Sequence, residues 1–361
     1  MIFVELRIGQ CIFAAAKMGF STMCIPTAGR LPSQLKANLY KVMKKKFILF
    51  FLFIAISACD KKSKVDKAVE EIPVDMQVER FEQVFFEAQP SQLPEIKRKY
   101  PQFFPADEED AAWIEKMTHP QWRELYSEVQ SRYKDFSRQE QKAEDMFRYI
   151  RYYFPNTPIP KLVTLIGNMD YTTKAVYADS IAVISLELYL GKDHRFYTDP
   201  KYLTQNYEES QIMPDLAESF AMTKVRPPDH TFLSQMIYWG KVLYIKDLIL
   251  PDYSDADKIG YTQDQIKWSA ENESYIWRYF IENQLLYDTD AKLAARFINP
   301  GPFSKFYLEI DNESPGRIGQ WIGWQIVRAY MKKNDIPLQD MLKMDAKTLF
   351  EQSKYKPAKN E

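Results

Sequence analysis

Residues 43–59 decide which part of this sequence can belong to a folded product. Lys44, Lys45 and Lys46 form a positive segment, residues 47–56 are ten apolar residues in a row, and Ser57 and Ala58 precede Cys59. Positive charge, apolar core and small residues in that order make a secretory signal peptide. Ten residues fall well short of the ~20 that cross a bilayer as a helix. Folding therefore concerns residue 59 onward. Residues 1–42 show no clear period, carry Cys11 and Cys24 and precede a suitable initiator at Met43. They are expected to be an upstream artefact of start-site choice. The resulting organisation is signal peptide over 43–58, tether over 59–72 and a single domain over 73–361.

The end of the signal, Ile56-Ser57-Ala58-Cys59, resembles the bacterial lipobox. That resemblance implies a diacylglyceryl group on the Cys59 thiol, cleavage before it and acylation of the new amine. Acyl groups contribute about 0.8 kcal/mol per buried CH₂, and more than one is needed for a stable anchor. The expected partner at this end is the membrane, through lipidated (palmitate-type) Cys59. Asp60-Lys61-Lys62 carries no acidic run of the kind that marks many surface-exported lipoproteins, which points to the periplasmic face of the cell envelope.

Beyond Cys59 there is no further cysteine, so disulfides and thiol catalysis are both excluded from the domain. Eight basic residues and one acidic residue precede Cys59, leaving 40 basic against 48 acidic and a net charge of −8. No basic stripe remains, which argues against nucleic acid as a partner. At 46% hydrophobic residues there is enough apolar material for a real core.

The pattern along the domain is helical at both ends with a short β-rich interval. Residues 60–72 are charged and free of aromatics and read as a solvated tether. A first strand is expected over 75–80, then helices over 81–88, 93–100, 107–117, one starting at Thr118-His119-Pro120, and one over 138–154. Residues 162–166, 175–177 and 181–185 are short, β-branched and separated by turn residues, the signature of a small sheet. Helices follow at 199–223, 231–250, 264–286, 291–297, 315–333 and 346–353. The fold class is α+β, predominantly helical, with a small sheet near 161–185 packed with helices.

Motifs for chemistry are sparse. His119, His194 and His230 are the only histidines and are not spaced as metal ligands; a helical zinc site places two His at i and i+4 with a Glu between. There is no GxSxG, GxGxxG or GxxxxGK[ST]. No cofactor and no metal are expected, and the acidic clusters at 107–110 and 271–273 read as solvated helix starts. Two stretches stand out. Thr231 to Pro251 is apolar nearly all round and is expected to be a buried central helix, its Lys241 a snorkelling or paired residue. In 311–330 Ser314 is placed to cap a helix beginning at Pro315. Gly316, Gly319 and Gly323 leave one face of that helix bare, for close helix packing or for an extended ligand. Close helix packing is the expected use of that face, at Gly323 above all.

The runs MIYWGKVLYIKDLILP at 236–251, ENESYIWRYFIENQLLYDTD at 271–290 and PFSKFYLEIDNESPGRIGQWIGWQIVRAYM at 302–331, with the lipobox, resemble the gliding-motility lipoprotein B (GldB) family of Bacteroidetes. The resemblance covers most of 43–335 and implies a membrane-anchored lipoprotein whose partners are envelope proteins of the gliding machinery and its associated protein secretion system. A more distant likeness to zincin-type metallopeptidases implies a degenerate zincin-like scaffold without zinc. Their HExxH helix would fall near Met236 to Gly240, with Glu271 or Glu273 in the place of a third ligand. On that likeness Gly316, Gly319, Trp321, Gly323, Met236, Gly240, Glu271 and Glu273 line a candidate groove of a non-enzyme, with Gly319 at its floor. The alternative is a zinc-independent or degenerate envelope peptidase or hydrolase.

Overall fold

The computed structural model describes residues 63–357. Cys59, the signal at 43–58 and residues 1–42 lie outside the described residues.

The N-terminal helices are α1 (Lys64–Glu70), α2 (Phe81–Glu87), α3 (Leu93–Lys99), α4 (Asp110–Thr118), α5 (Pro120–Tyr133) and α6 (Ser137–Tyr153). α1 lies inside the stretch expected to be a solvated tether. Ser63 and Asp66 form a capping box at its start, Val69 is buried, and the Tyr149 hydroxyl of α6 donates to Asp66 at 2.9 Å. Two satisfied backbone donors and one buried side group suffice to dock so short a helix. In the helix expected to start at Thr118-His119-Pro120, α5, the cap is His119: its Nδ1 accepts from the Gln121 amide at 3.3 Å, with Pro120 in the first position.

The sheet comprises β1 (Val78–Arg80), β2 (Lys161–Leu165), β3 (Ala175–Ala178) and β4 (Ile181–Ser185) in the order β1-β2-β4-β3. β1, β2 and β4 run parallel, and β3 is the antiparallel edge. Leu162, Val163, Ala182 and Ile184 are buried, as expected for strands covered by helices.

After the sheet come α7 (Lys201–Thr204), α8 (Ile212–Met222), α9 (Phe232–Ile249), α10 (Asp255–Ile259), α11 (Gln263–Glu282), α12 (Lys292–Phe297), α13 (Ile318–Lys333), α14 (Leu338–Lys343) and α15 (Ala346–Ser353). The helix expected over 199–223 is therefore two helices, with a turn at 205–211 between them. Pro214 has no N–H to give a preceding turn and is tolerated only near a helix start, where it sits in α8. α10 and α14 carry too few residues for a clear period and were not expected.

α9 is the central helix. It packs on α13, α8, α15 and α6. Its Lys241 is buried, and the ammonium donates to the carbonyls of Leu342 at 3.0 Å and Met344 at 2.7 Å, tying the last two helices to the core. The architecture is predominantly helical α+β. No helix among the described residues is long and apolar enough to cross a membrane.

Candidate functional site

Two of the glycines singled out from sequence, Gly240 and Gly323, are where α9 and α13 touch. A Cβ on Gly323 would stand 1.8 Å from the Met236 carbonyl oxygen, and one on Gly240 would stand 2.2 Å from the Gly323 carbonyl oxygen. Backbone meets backbone there, and only hydrogen fits. Gly319 packs on α12: its Cβ would lie 2.9 Å from both the Phe297 carbonyl oxygen and Ile298 Cδ1. Met236, Gly240, Gly319, Trp321 and Gly323 are all buried, so the expected groove over this face is filled, and Gly319 floors a helix contact instead. The reason is the flanking stripe: Ile318, Ile322 and Ile326 are fully buried and draw the two helices together.

Of the acidic pair of the expected groove, only Glu273 reaches this face, through Trp321. Glu271 and Glu273 sit in the middle of α11, not at a helix start. Glu271 is exposed and 3.9 Å from Lys267. Glu273 is half-buried and accepts from Tyr355 Oη at 2.8 Å and Trp321 Nε1 at 3.3 Å; burial raises its carboxyl above the ordinary range. It pins the C-terminal segment to α13. Ser314 does not cap α13 either. The Ser304 hydroxyl accepts from the Ile318 amide at 3.2 Å, and Ser314 Oγ accepts from the Ser304 amide at 3.1 Å.

What does open to water is a polar cleft of about 390 Å³, walled by the loop at 171–174, the turn at 205–211, α8, the end of α10 and the segment before α13. Of the eight residues expected to line a groove, only Gly316 borders it. Its charged groups come from four elements. Lys246 of α9 is 2% exposed and lies 3.1 Å from the Glu218 carboxylate of α8, which is 31% exposed. Lys174 lies 2.6 Å from Asp215, whose carboxylate also accepts from Tyr189 Oη at 2.9 Å.

Arg317 is the fifth charge, and its backbone explains its position. It occupies the left-handed region at φ 63°, uncommon for any residue but glycine, at the N-cap of α13. Its Nη2 donates to the Gly260 carbonyl at 3.1 Å, and the guanidinium carbon lies 5.5 Å from the centre of the Tyr261 ring. That carbonyl also accepts from Asn206 Nδ2 at 3.1 Å and Gln205 Nε2 at 3.3 Å. Gly260 ends α10 at φ +70°, and a Cβ there would press within 2.9 Å of Asn206 Nδ2. Three donors on one carbonyl thus hold the turn, the end of α10 and Arg317 in one geometry.

Burial by itself would push the Glu218 carboxyl up, yet Lys246, Arg317 and Lys174 around it outweigh that and hold it below the usual carboxylate range. Three cations face two carboxylates. The sequence reading missed all five of these residues. The available signal was Lys246, a charge on a helix otherwise apolar nearly all round, and the helical stretch Ala217-Glu218-Ser219-Phe220-Ala221, which has the carboxylate of a His-Glu-x-x-His spacing with alanine at both ligand positions. In the 236–240 turn, where the zinc helix was expected, Met236 and Gly240 are buried, and Ile237 and Tyr238 border a separate recess of about 230 Å³ together with Lys241 and residues 342–346.

A second buried carboxylate stands behind the 167–173 loop. Glu187 Oε1 accepts from the Gly167 amide at 2.8 Å, while Oε2 has no hydrogen-bond partner. Burial pushes this carboxyl up to about 7, against the pull of Lys116. The Lys116 ammonium donates to the Gly167 carbonyl at 2.9 Å and to Asn168 Oδ1 at 3.0 Å.

The three histidines stand on separate elements: His119 caps α5, His194 lies 3.9 Å from Glu128, and His230 precedes α9. Among the described residues no group of three or more His, Cys, Asp or Glu is placed to hold a metal ion. No curated protein and no solved structure matches this sequence, so the likeness to zincin-type metallopeptidases finds no support there. A family model described as gliding motility protein GldB matches residues 62–357, and the chain belongs to that family.

Proposed function

We propose that this gliding-motility lipoprotein is a non-catalytic binding component of the gliding machinery and its associated secretion system. In this reading it is held on the membrane by lipidated Cys59 and faces the periplasm. The cleft between α8, the end of α10 and Arg317 takes an envelope protein partner. One observation carries the non-catalytic part. Each carboxylate in the cleft is occupied by a lysine, Glu218 by Lys246 and Asp215 by Lys174. A general base works best with a pKa near the operating pH and a free lone pair toward its substrate. Glu218 is instead held ionised below the usual range by three cations. Such a site binds better than it transfers protons.

The test is a photo-cross-linking residue at Gln265, on the cleft wall, in gliding cells. A discrete adduct with an envelope protein is expected, and it should vanish in Arg317→Glu while protein level and membrane association stay unchanged. An adduct indifferent to Arg317→Glu moves the contact away from the cleft. In the same strain background Cys59→Ser should release the protein from the membrane, and fatty-acid label still incorporated into that variant would defeat the anchor.

A further inference from the structure

We infer that the cleft recognises a carboxylate on an extended peptide, with Arg317 as its counter-ion; this rests on the cleft being the partner site. The argument is one of charge and geometry. Lys174 and Lys246 each have a carboxylate within 3.1 Å, whereas Arg317 has a carbonyl and an aromatic face at close range and acts on Glu218 by charge without a hydrogen bond to it. A guanidinium presents five donors in a fixed fork that matches a carboxylate in bidentate fashion. The hydrogen bond from Nη2 to Gly260 leaves most of that fork without a protein acceptor. The cleft therefore carries one positive charge more than its own acids balance, in a recess where water screens less than on an open surface.

The walls suit the rest of a peptide. Gln205, Asn206 and Gln265 border the cleft, and Tyr171 and Tyr202 stand with them. Amides satisfy backbone N–H and C=O groups, and phenol rings cover apolar groups while keeping a polar end in water. Arg317 is fixed before any ligand arrives, because its left-handed backbone and the shared Gly260 carbonyl both constrain it. A pre-set donor loses little freedom on binding. The same carboxylate chemistry is offered by a free peptide C-terminus and by an Asp or Glu residue within a peptide.

The full-length lipoprotein in detergent should be titrated with three fluorescent peptides: tetra-alanine with a free C-terminus, its C-terminal amide, and an amidated peptide with one internal aspartate. At least one acidic peptide should bind ten times or more tightly than the neutral amide. Binding of the free acid alone assigns a peptide terminus, and binding of the internal aspartate assigns an acidic residue. Arg317→Gln should erase the preference with little change in melting temperature, and Arg317→Lys should restore part of it. Equal affinity for acid and amide, no binding of any peptide, or a preference that survives Arg317→Gln would each overturn the inference. If the preference is absent while the Gln265 adduct in cells still depends on Arg317, the cleft stands and the carboxylate falls. If the preference is present without an adduct, the recognition chemistry stands and the cellular role of the cleft falls.

Discussion

Helix α9 takes part in two contacts of opposite character. At Met236 and Gly240 it presses backbone to backbone against α13, with no room for a methyl group. At Lys246, less than two turns beyond Gly240, it delivers a nearly buried ammonium to the wall of a polar cleft. The first contact is dry and specified by the absence of side groups. The second is wet and specified by charge. Glycines on an apolar helix draw attention in a sequence, but here they lock the scaffold. Of the lysines that interrupt this apolar helix, Lys241 ties down the C-terminal helices and Lys246 marks the polar cleft.

The sharpest way to break this comparison is at the dry contact. Gly323→Ala places a methyl 1.8 Å from the Met236 carbonyl oxygen, which can yield only if the helices separate. The expected loss is at or above the ~1–3 kcal/mol common for overpacking, with a correspondingly lower urea midpoint. Gly319→Ala meets Ile298 Cδ1 and the Phe297 carbonyl at 2.9 Å and should cost less. If Gly323→Ala melts like the parent, the crossing is not sealed.

An intermediate effect is expected in the cleft. Lys246→Met removes the partner of Glu218 and leaves a partly buried carboxylate without its nearest cation. Removing one member of a fully buried pair costs about 3–5 kcal/mol. Glu218 is 31% exposed and still feels Arg317 and Lys174, so a loss of about 1–2 kcal/mol is expected, after discounting for solvent. Adding Glu218→Gln should recover much of it in a double-mutant cycle, and additive effects would mean the pair is uncoupled.

The smallest effect is a pH dependence behind the cleft. The Glu187 carboxyl is raised to about 7 in the fold, above its ordinary value of 4.5. Between those values the folded state holds a proton that the unfolded state has released. Its contribution is therefore complete below pH 4.5, falls as pH rises and is gone above about 7. The carboxyls of Glu218 and Asp255 are lowered, so they lose their contributions at pH below that window. Glu187→Gln should flatten the decline in melting temperature as pH rises from about 5 to about 7. An unchanged slope would show that Lys116 and the 167–169 backbone keep this carboxylate ionised.

Much of the framework is readable one residue at a time. The run of 231–250 has no polar face, so it must be buried, and the structure makes it central. Residues 161–185 are β-branched and punctuated by turns, and they pair as a small sheet. The break at 205–211 was hidden because its flanks are both helical in pattern, and Pro214 signals a helix start only once a partner for the preceding carbonyls is known. The capping of α13 by Ser304 was hidden for a similar reason, since a serine next to Pro315 satisfies every local rule.

Local periodicity and residue chemistry, then, determined on their own the helix-rich α+β class, the buried course of α9 and the lack of thiol chemistry in the domain. Tertiary structure alone decided which bare face is filled and which charges meet. A glycine stripe offers the same opening to a helix or to a ligand, and only the neighbour that arrives distinguishes them. Lys174, Asp215, Glu218, Lys246 and Arg317 span 144 positions of sequence, and no spacing rule links residues so far apart. Their meeting depends on the packing of α8 against β3 and α9, and on a left-handed turn at Arg317. Electrostatic complementarity forms in space, after the apolar contacts have set the distances.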